Sequence, residues 1–327
     1  MAKTAKKATV MEIARSAGNR PIYAFGYGEK QNVASPANYS SACGAHDIKS
    51  FFDPETKKPA ILIAGAVHGQ ETEGVAALTN LITLLEKGCD LAGQENAGLI
   101  DVLKDVRLVL VPVANPDGRH RVAPASIVGM KNDDLRYWGQ GTWKDGSLCK
   151  WPDCKKVHPI KGHVEFLGGY YNDDGINLMH DQFFKPMAKE TQALIDLAID
   201  EFADLILLLH GGSNSENDML MTEYAPVEVN EALIDIAKRC DAVARKEALG
   251  FNIRKVPPAP RGSPPPSFNL ASALHHAAGA IAAVFESNEC IIDEPGVKYD
   301  HRQIIRSHMI LFEESARYIC LRRKKSQ

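Results

Sequence analysis

Short unbroken apolar runs alternate along the chain with longer stretches in which apolar residues recur three and four positions apart. The runs at 21–28 (PIYAFGYG), 60–67 (AILIAGAV), 106–113 (VRLVLVPV), 205–209 (LILLL) and 280–285 (AIAAVF) are too short to stand alone as helices. Each predicts a strand buried on both faces. Helical spacing marks 73–86, 188–202, 229–248 and 271–278, with 304–321 as a closing amphipathic helix. Strands separated by helices are the pattern of a layered α/β domain. The expectation is a single domain over residues 1–327, frayed at 1–10 and at the basic end 322–327.

Two regions break the rhythm. Residues 123–169 show little periodicity, and 256–267 (VPPAPRGSPPPS) carry prolines that forbid a regular element. Long irregular connections inside a compact domain are uncommon and often functional, so both are expected to wall a site.

Composition narrows the class of partner. Lys plus Arg number 38 against 41 Asp plus Glu, a net charge of −3, which lacks the basic excess that a nucleic-acid binder uses to displace counterions. No run approaches the length of a membrane-spanning helix, and no apolar segment of a signal peptide follows the basic start. Seven scattered cysteines, an odd number without a Cys-x-x-Cys, do not form a disulfide framework. A cytoplasmic protein with neither nucleic-acid nor membrane partners is expected.

The chemistry concentrates in AGAVHGQETEG at 64–74, where a buried strand runs through a glycine turn into a helix. His68 and Glu71 lie in that turn, and an imidazole and a carboxylate three residues apart can converge on one cation. The spacing alone is weak. It gains weight from His210, which is expected to end the strand LILLL just before Gly211 and Gly212, and from Glu286 directly after AIAAVF. In α/β sheets ligands gather beyond strand ends, and a carboxylate beside a zinc-activated water suits a general base.

In type and order these residues resemble the zinc carboxypeptidases of the carboxypeptidase A superfamily. Glu71 and His210 lie 139 residues apart, and His210 and Glu286 lie 76 apart. Further landmarks are similar: RSAGNRPIYAF at 15–25, NPDG at 115–118, LRYW at 135–138, GINL at 175–178 and KETQAL at 189–194. The likeness covers roughly residues 10–290. It implies a mixed, mostly parallel twisted sheet of about eight strands with helices on both faces. It also implies one zinc ion held by His68, Glu71 and His210, with Glu286 as general base and acid. The implied reaction is hydrolysis of an amide bond in a peptide or an N-acyl amino acid. Two other readings stay open: a catalytically silent peptide-binding homologue, and a deacylase or esterase acting on a small metabolite.

Several positions depart from the family pattern. Asn177 stands where the family has an aspartate that orients the first histidine, so the ligand loses a charged partner. Met179 and His180 replace the Asn-Arg pair that clamps a terminal carboxylate, which leaves His180 and Asn177 as candidate substrate contacts. Gly139 replaces the oxyanion-stabilising arginine; Arg136 is the candidate substitute, with Arg119 and Arg121 as neighbours. Gln70 replaces a basic residue, and Asp173, Asp174 and Asp181 suggest an acidic pocket. Cys149, Cys154 and His158 lack a fourth metal ligand, and His275 and His276 lie on an alanine-rich helix. Structural roles are expected for all five.

Overall fold

The computed structural model describes residues 1–31, 35–51, 58–254 and 262–326. Among them are ten strands: β1 (Thr9–Arg15), β2 (Pro21–Tyr27), β3 (Ala60–Gly65), β4 (Arg107–Val111), β5 (Gly141–Trp143), β6 (Val164–Leu167), β7 (Leu205–Ser213), β8 (Asn217–Leu220), β9 (Phe251–Arg254) and β10 (Ile281–Asn288). The helices are α1 (Tyr39–Gly44), α2 (Glu73–Lys87), α3 (Ala97–Leu103), α4 (Pro116–Arg121), α5 (Asn132–Gly139), α6 (Lys189–Asp200), α7 (Val227–Ala244), α8 (Leu270–Ala278) and α9 (His301–Ser326). Eight strands form one mixed sheet in the order β1-β2-β4-β3-β7-β10-β8-β9, and β5 pairs with β6 in a separate antiparallel ribbon.

The centre of the sheet is parallel, running β4, β3, β7, β10. Antiparallel pairings join β2 to β4 and β8 to β10. Alternate residues of the central strands enter different cores, as the pleat requires. Ile61, Ile63, Leu207, Leu209, Ala283 and Phe285 face one side, packed with α2, α3, α7 and α9. Leu62, Ala64, Ile206, Leu208, Ala282 and Val284 face the other, against α6 and α8. Burial on both faces explains why these strands read as continuous apolar runs.

The expected strands and helices are all present, within a few residues at their ends. The elements without a sequence signal are short or lie at edges. β1 is an edge strand with one face half-exposed, and β8 and β9 are four residues each and mix polar with apolar positions. The region 123–169 is not the plain loop expected: it contains α5 and the β5–β6 ribbon. Half of the proline-rich stretch, residues 256–261, lies outside the described residues. At the C-terminus α9 runs to Ser326, and Arg323 pairs with Asp204 at 3.3 Å.

Candidate metal centre

β3 stops at Gly65, and Ala66 takes φ 49°, a left-handed conformation costing about 1–3 kcal/mol that is held by the fold around it. Its carbonyl accepts from the Asn115 amide at 2.9 Å, and Gly65 accepts from Ala114, so the bend is pinned by the chain leaving β4. The bend sends residues 67–71 across the end of the sheet before α2 begins. His68 and Glu71 lie in this turn, nearly buried at 7% and 2% exposure.

His210 is not the end of its strand. β7 continues to Ser213, and β10 continues past Glu286 to Asn288, because the two pair in parallel through this segment. His210 and Glu286 are registered partners. They extend the row that holds Leu208 and Val284, so both side chains leave the sheet on the same face. The apolar row thus changes to chemistry at one level of the sheet.

The three candidate ligands come together. His68 Nδ1 lies 2.8 Å from Glu71 Oε1, His210 Nδ1 lies 2.8 Å from Glu71 Oε2, and the two Nδ1 atoms are 3.2 Å apart. Glu71 Oε2 has no hydrogen-bond donor aligned with it despite its burial. Two facing imidazole nitrogens and a carboxylate offer more lone pairs than protons, and a divalent cation among them resolves the excess. Burial alone would raise the Glu71 carboxyl, but the two imidazoles reverse this and hold it at about 2. It is therefore ionised and ready to bind a metal. Among the described residues this is the one group of His, Cys, Asp and Glu placed to hold an ion.

The surroundings fix the ligands. His68 Nε2 is 3.2 Å from Asn177 Oδ1, and the ring stacks on Tyr170 at 3.8 Å with 6° between planes. Asn177 is itself held: Oδ1 accepts from the Met179 amide at 2.9 Å, and its N–H donates to His158 Nε2 at 3.0 Å. His158 thus serves the site from behind. Cys149 and Cys154 are buried in a small apolar cluster with Ile160 and Tyr171, in the structural role expected of them. His275 Nδ1 donates to the Ala280 carbonyl at 2.8 Å and is likewise structural, while His276 Nε2 donates to the Tyr224 carbonyl at 3.1 Å.

A cavity of about 550 Å³ opens over the cluster, lined by His68, His210, Glu286, Tyr170, Arg136 and Lys155 among others. The irregular segments do wall it, through Ile127, Trp151 and Ser267. Burial raises the Glu286 carboxyl to about 7, with Glu71 adding to the effect and His210 opposing it. Arg136 reaches the cavity from α5 with its Nη1 3.2 Å from Asp133. Arg119 and Arg121 do not line it. Arg119 is spent on the carbonyls of Gly69, Val122 and Pro124, and Arg121 on Asp173 and the carbonyls of Leu167 and Gly168.

The expected acidic pocket is formed by other acids. Asp173 pairs with Arg20 and Arg121, and Asp181 accepts from the amides of Gln182 and Ala188. Carboxylates that do line the cavity are Glu223, Glu286, Glu289 and Glu294. His180 lines it too, but burial and the Lys155 charge depress its imidazole to about 3, so it is neutral. The cation at this position is Lys155, whose Nζ lies 2.8 Å from His180 Nε2 and 5.2 Å from the Trp151 ring. Lys155 gave no sign in the sequence, because it arrives from a loop 25 residues upstream of His180.

Two imidazoles and a carboxylate converging beside the central strands of a mixed α/β sheet are the donor set of a mononuclear zinc peptidase. The sequence profile described as zinc carboxypeptidase matches residues 1–262, and the chain belongs to that family, whose metal is zinc. No curated protein matches it significantly in sequence. Solved structures resemble it in fold. The metallo-carboxypeptidase from Burkholderia cenocepacia superposes at TM-score 0.60 with 14% identity, covering 98% of this chain and 67% of that one. The metallo-carboxypeptidase from Pseudomonas aeruginosa, solved in complex with (2-guanidinoethylmercapto)succinic acid, gives 0.58 and 14% over 98% and 66%. Carboxypeptidase A from Helicoverpa armigera gives 0.52 and 14% over 96% and 68%. The chain spans about two thirds of the length of these structures. No helix among the described residues is long and apolar enough to cross a membrane.

Proposed function

We propose that this protein hydrolyses an amide bond in a small peptide or an amino-acid derivative, with His68, Glu71 and His210 holding zinc and Glu286 moving the proton. The observation that carries the reading is the registered pairing of Glu286 with His210 on one face of the sheet, at the wall of the cavity. Zinc, when bound, polarises the amide carbonyl and lowers the pKa of the attacking water. Glu286, with its carboxyl raised to about 7, is matched to take that water's proton near neutral pH and to deliver it to the departing nitrogen. Tyr170 stacks on His68 and keeps solvent from that side of the ring. Arg136 is the arginine on the cavity wall that we assign to the developing oxyanion.

Lys155 supports a substrate bearing a carboxylate. One of its N–H groups goes to neutral His180, whose Nδ1 lies 3.0 Å from Ser267 Oγ, and Lys155 lines the cavity. A lysine is a point charge rather than a fork, so this contact is less selective for geometry than the arginine it replaces. The direct test is turnover of a panel of dipeptides, longer peptides, N-acyl amino acids and esters by zinc-loaded protein, with Glu286→Gln as control. Amide turnover that falls about 10²–10⁴-fold in the variant, at unchanged zinc content, is the expected result. No amide turnover by the wild type would favour a peptide-binding protein, and preference for esters or N-acyl amino acids would favour the metabolite deacylase.

A further inference from the structure

The proposed hydrolysis leaves one acidic corner of the cavity without a role. Glu289 follows β10 and is 2% exposed, yet its carboxylate lines the cavity and has no hydrogen-bond or ion-pair partner among the described residues. Its backbone is fixed on both sides, the N–H donating to the Ser213 carbonyl and the carbonyl accepting from the Gly129 amide, each at 3.0 Å. The side chain lies across Gly211, the residue after His210. A Cβ at that glycine would stand 2.9 Å from Glu289 Oε1 and 3.2 Å from Glu73 Oε2, so the missing side chain leaves room for both carboxyl groups at this point.

Glu73 is buried beside it. It is 3% exposed, one oxygen accepts from Thr72 Oγ1 at 3.2 Å, and the other has no partner. The guanidinium that Glu73 feels, that of Arg119, is already committed to backbone carbonyls. Other cations of the cavity have acids of their own or lie elsewhere: Arg254 is 2.5 Å from Asp218, and Arg136 is on Asp133. A buried carboxyl group with no hydrogen-bond partner in the chain leaves its bonding capacity unmet, so the cavity at Glu289 suits a donor that the chain itself does not provide. Glu73 and Glu289 do not belong to any group able to hold a metal ion among the described residues. A cationic donor carried by a ligand fits two neighbouring acidic groups.

We propose that Glu289 is a specificity-determining residue that binds a protonated primary amine of the substrate. The proposal rests on the hydrolytic reading above and narrows its substrate class. An ammonium carries three N–H donors on a compact centre, which suits the cavity wall at Gly211 and Glu289, with Glu73 buried beside them. Because Gly211 directly follows the ligand His210, the amine is held within about one residue of the amide being cleaved. The enzyme therefore takes short substrates with a free amino group and discriminates against their N-acylated counterparts. With Lys155 at His180, the cavity offers one group for each end of a zwitterion.

Calorimetric binding to the zinc-loaded Glu286→Gln protein tests this without turnover. The ligands are alanyl-alanine, lactyl-alanine, in which a hydroxyl replaces the amine, and N-acetyl-alanyl-alanine. Alanyl-alanine is expected to bind at least about tenfold more tightly than either of the others. Adding Glu289→Gln should abolish that preference while leaving lactyl-alanine binding and zinc content unchanged. Equal binding of alanyl-alanine and lactyl-alanine, no binding of any of the three, or a preference that survives Glu289→Gln overturns the proposal. The first comparison needs no change at position 289, so misfolding of the Glu289 variant leaves it decisive. Turnover of alanyl-alanine by the wild type is scored separately, and its absence counts against the hydrolytic reading rather than against amine binding.

Discussion

Asn177 Oδ1 stands 3.2 Å from His68 Nε2, on the side of the ring opposite the nitrogen that faces Glu71 and His210. The contact fixes the tautomer with the proton on Nε2 and leaves Nδ1 as the lone-pair donor toward the metal. A neutral amide makes the same hydrogen bond as an aspartate but adds no charge to the ligand's basicity. Asn177→Ala should weaken zinc affinity about 10–100-fold, and Asn177→Asp should restore or exceed the wild-type value. Zinc competition titrations with a chromophoric chelator measure both; an unchanged affinity in Asn177→Ala would remove the orienting role.

Lys155 has a distinct expected signature. Lys155→Met should raise KM for substrates with a free carboxylate about tenfold or more, with a much smaller effect on the corresponding amides. Parallel steady-state kinetics on a free peptide and its C-terminal amide separate the cases. Equal losses on both would assign Lys155 to holding the loop rather than the substrate.

Metal removal should cost stability as well as activity. With zinc on the proposed ligands, its removal would leave the facing Nδ1 atoms and the unaligned Glu71 Oε2 without a shared partner while all three side chains remain buried. Zinc at about 100 times its dissociation constant contributes ~2.7 kcal/mol, so chelation is expected to lower the melting temperature by about 5 °C, reversibly on adding zinc. Differential scanning calorimetry with and without chelator reads this directly.

Asp117 gives a pH prediction away from the metal. Its fully buried carboxylate accepts from Ser16 Oγ at 2.5 Å, Arg20 Nη1 at 2.8 Å, the Gly18 amide at 2.9 Å and the Asp173 amide at 3.1 Å. Burial pushes its carboxyl up, but these donors outweigh it and the net shift is downward. A depressed folded-state pKa gives stability that is fully present above the unfolded value of about 3.9 and is lost as pH falls through the folded value. Asp117→Asn should therefore destabilise the protein by about 1–3 kcal/mol at pH 7, with the gap to wild type closing below about pH 4. Urea unfolding at pH 7 and at pH 3.5 checks the sign; a gap that widens in acid would refute it.

The sequence by itself determined the central strands, because burial on both faces demands the unbroken apolar runs at 60–65, 107–111, 205–209 and 281–285. It also singled out His68, Glu71, His210 and Glu286, since ligand residue types placed against such runs are a local signal. Tertiary structure alone decided that Glu286 pairs with His210, as parallel register joins strands far apart in the chain and leaves no periodicity to read. The same holds for Lys155 reaching His180 and for Glu289 lying over Gly211. Those meetings depend on where loops return to the sheet edge, and a loop's path is fixed by contacts made after the strands have assembled, not by the order of its own residues.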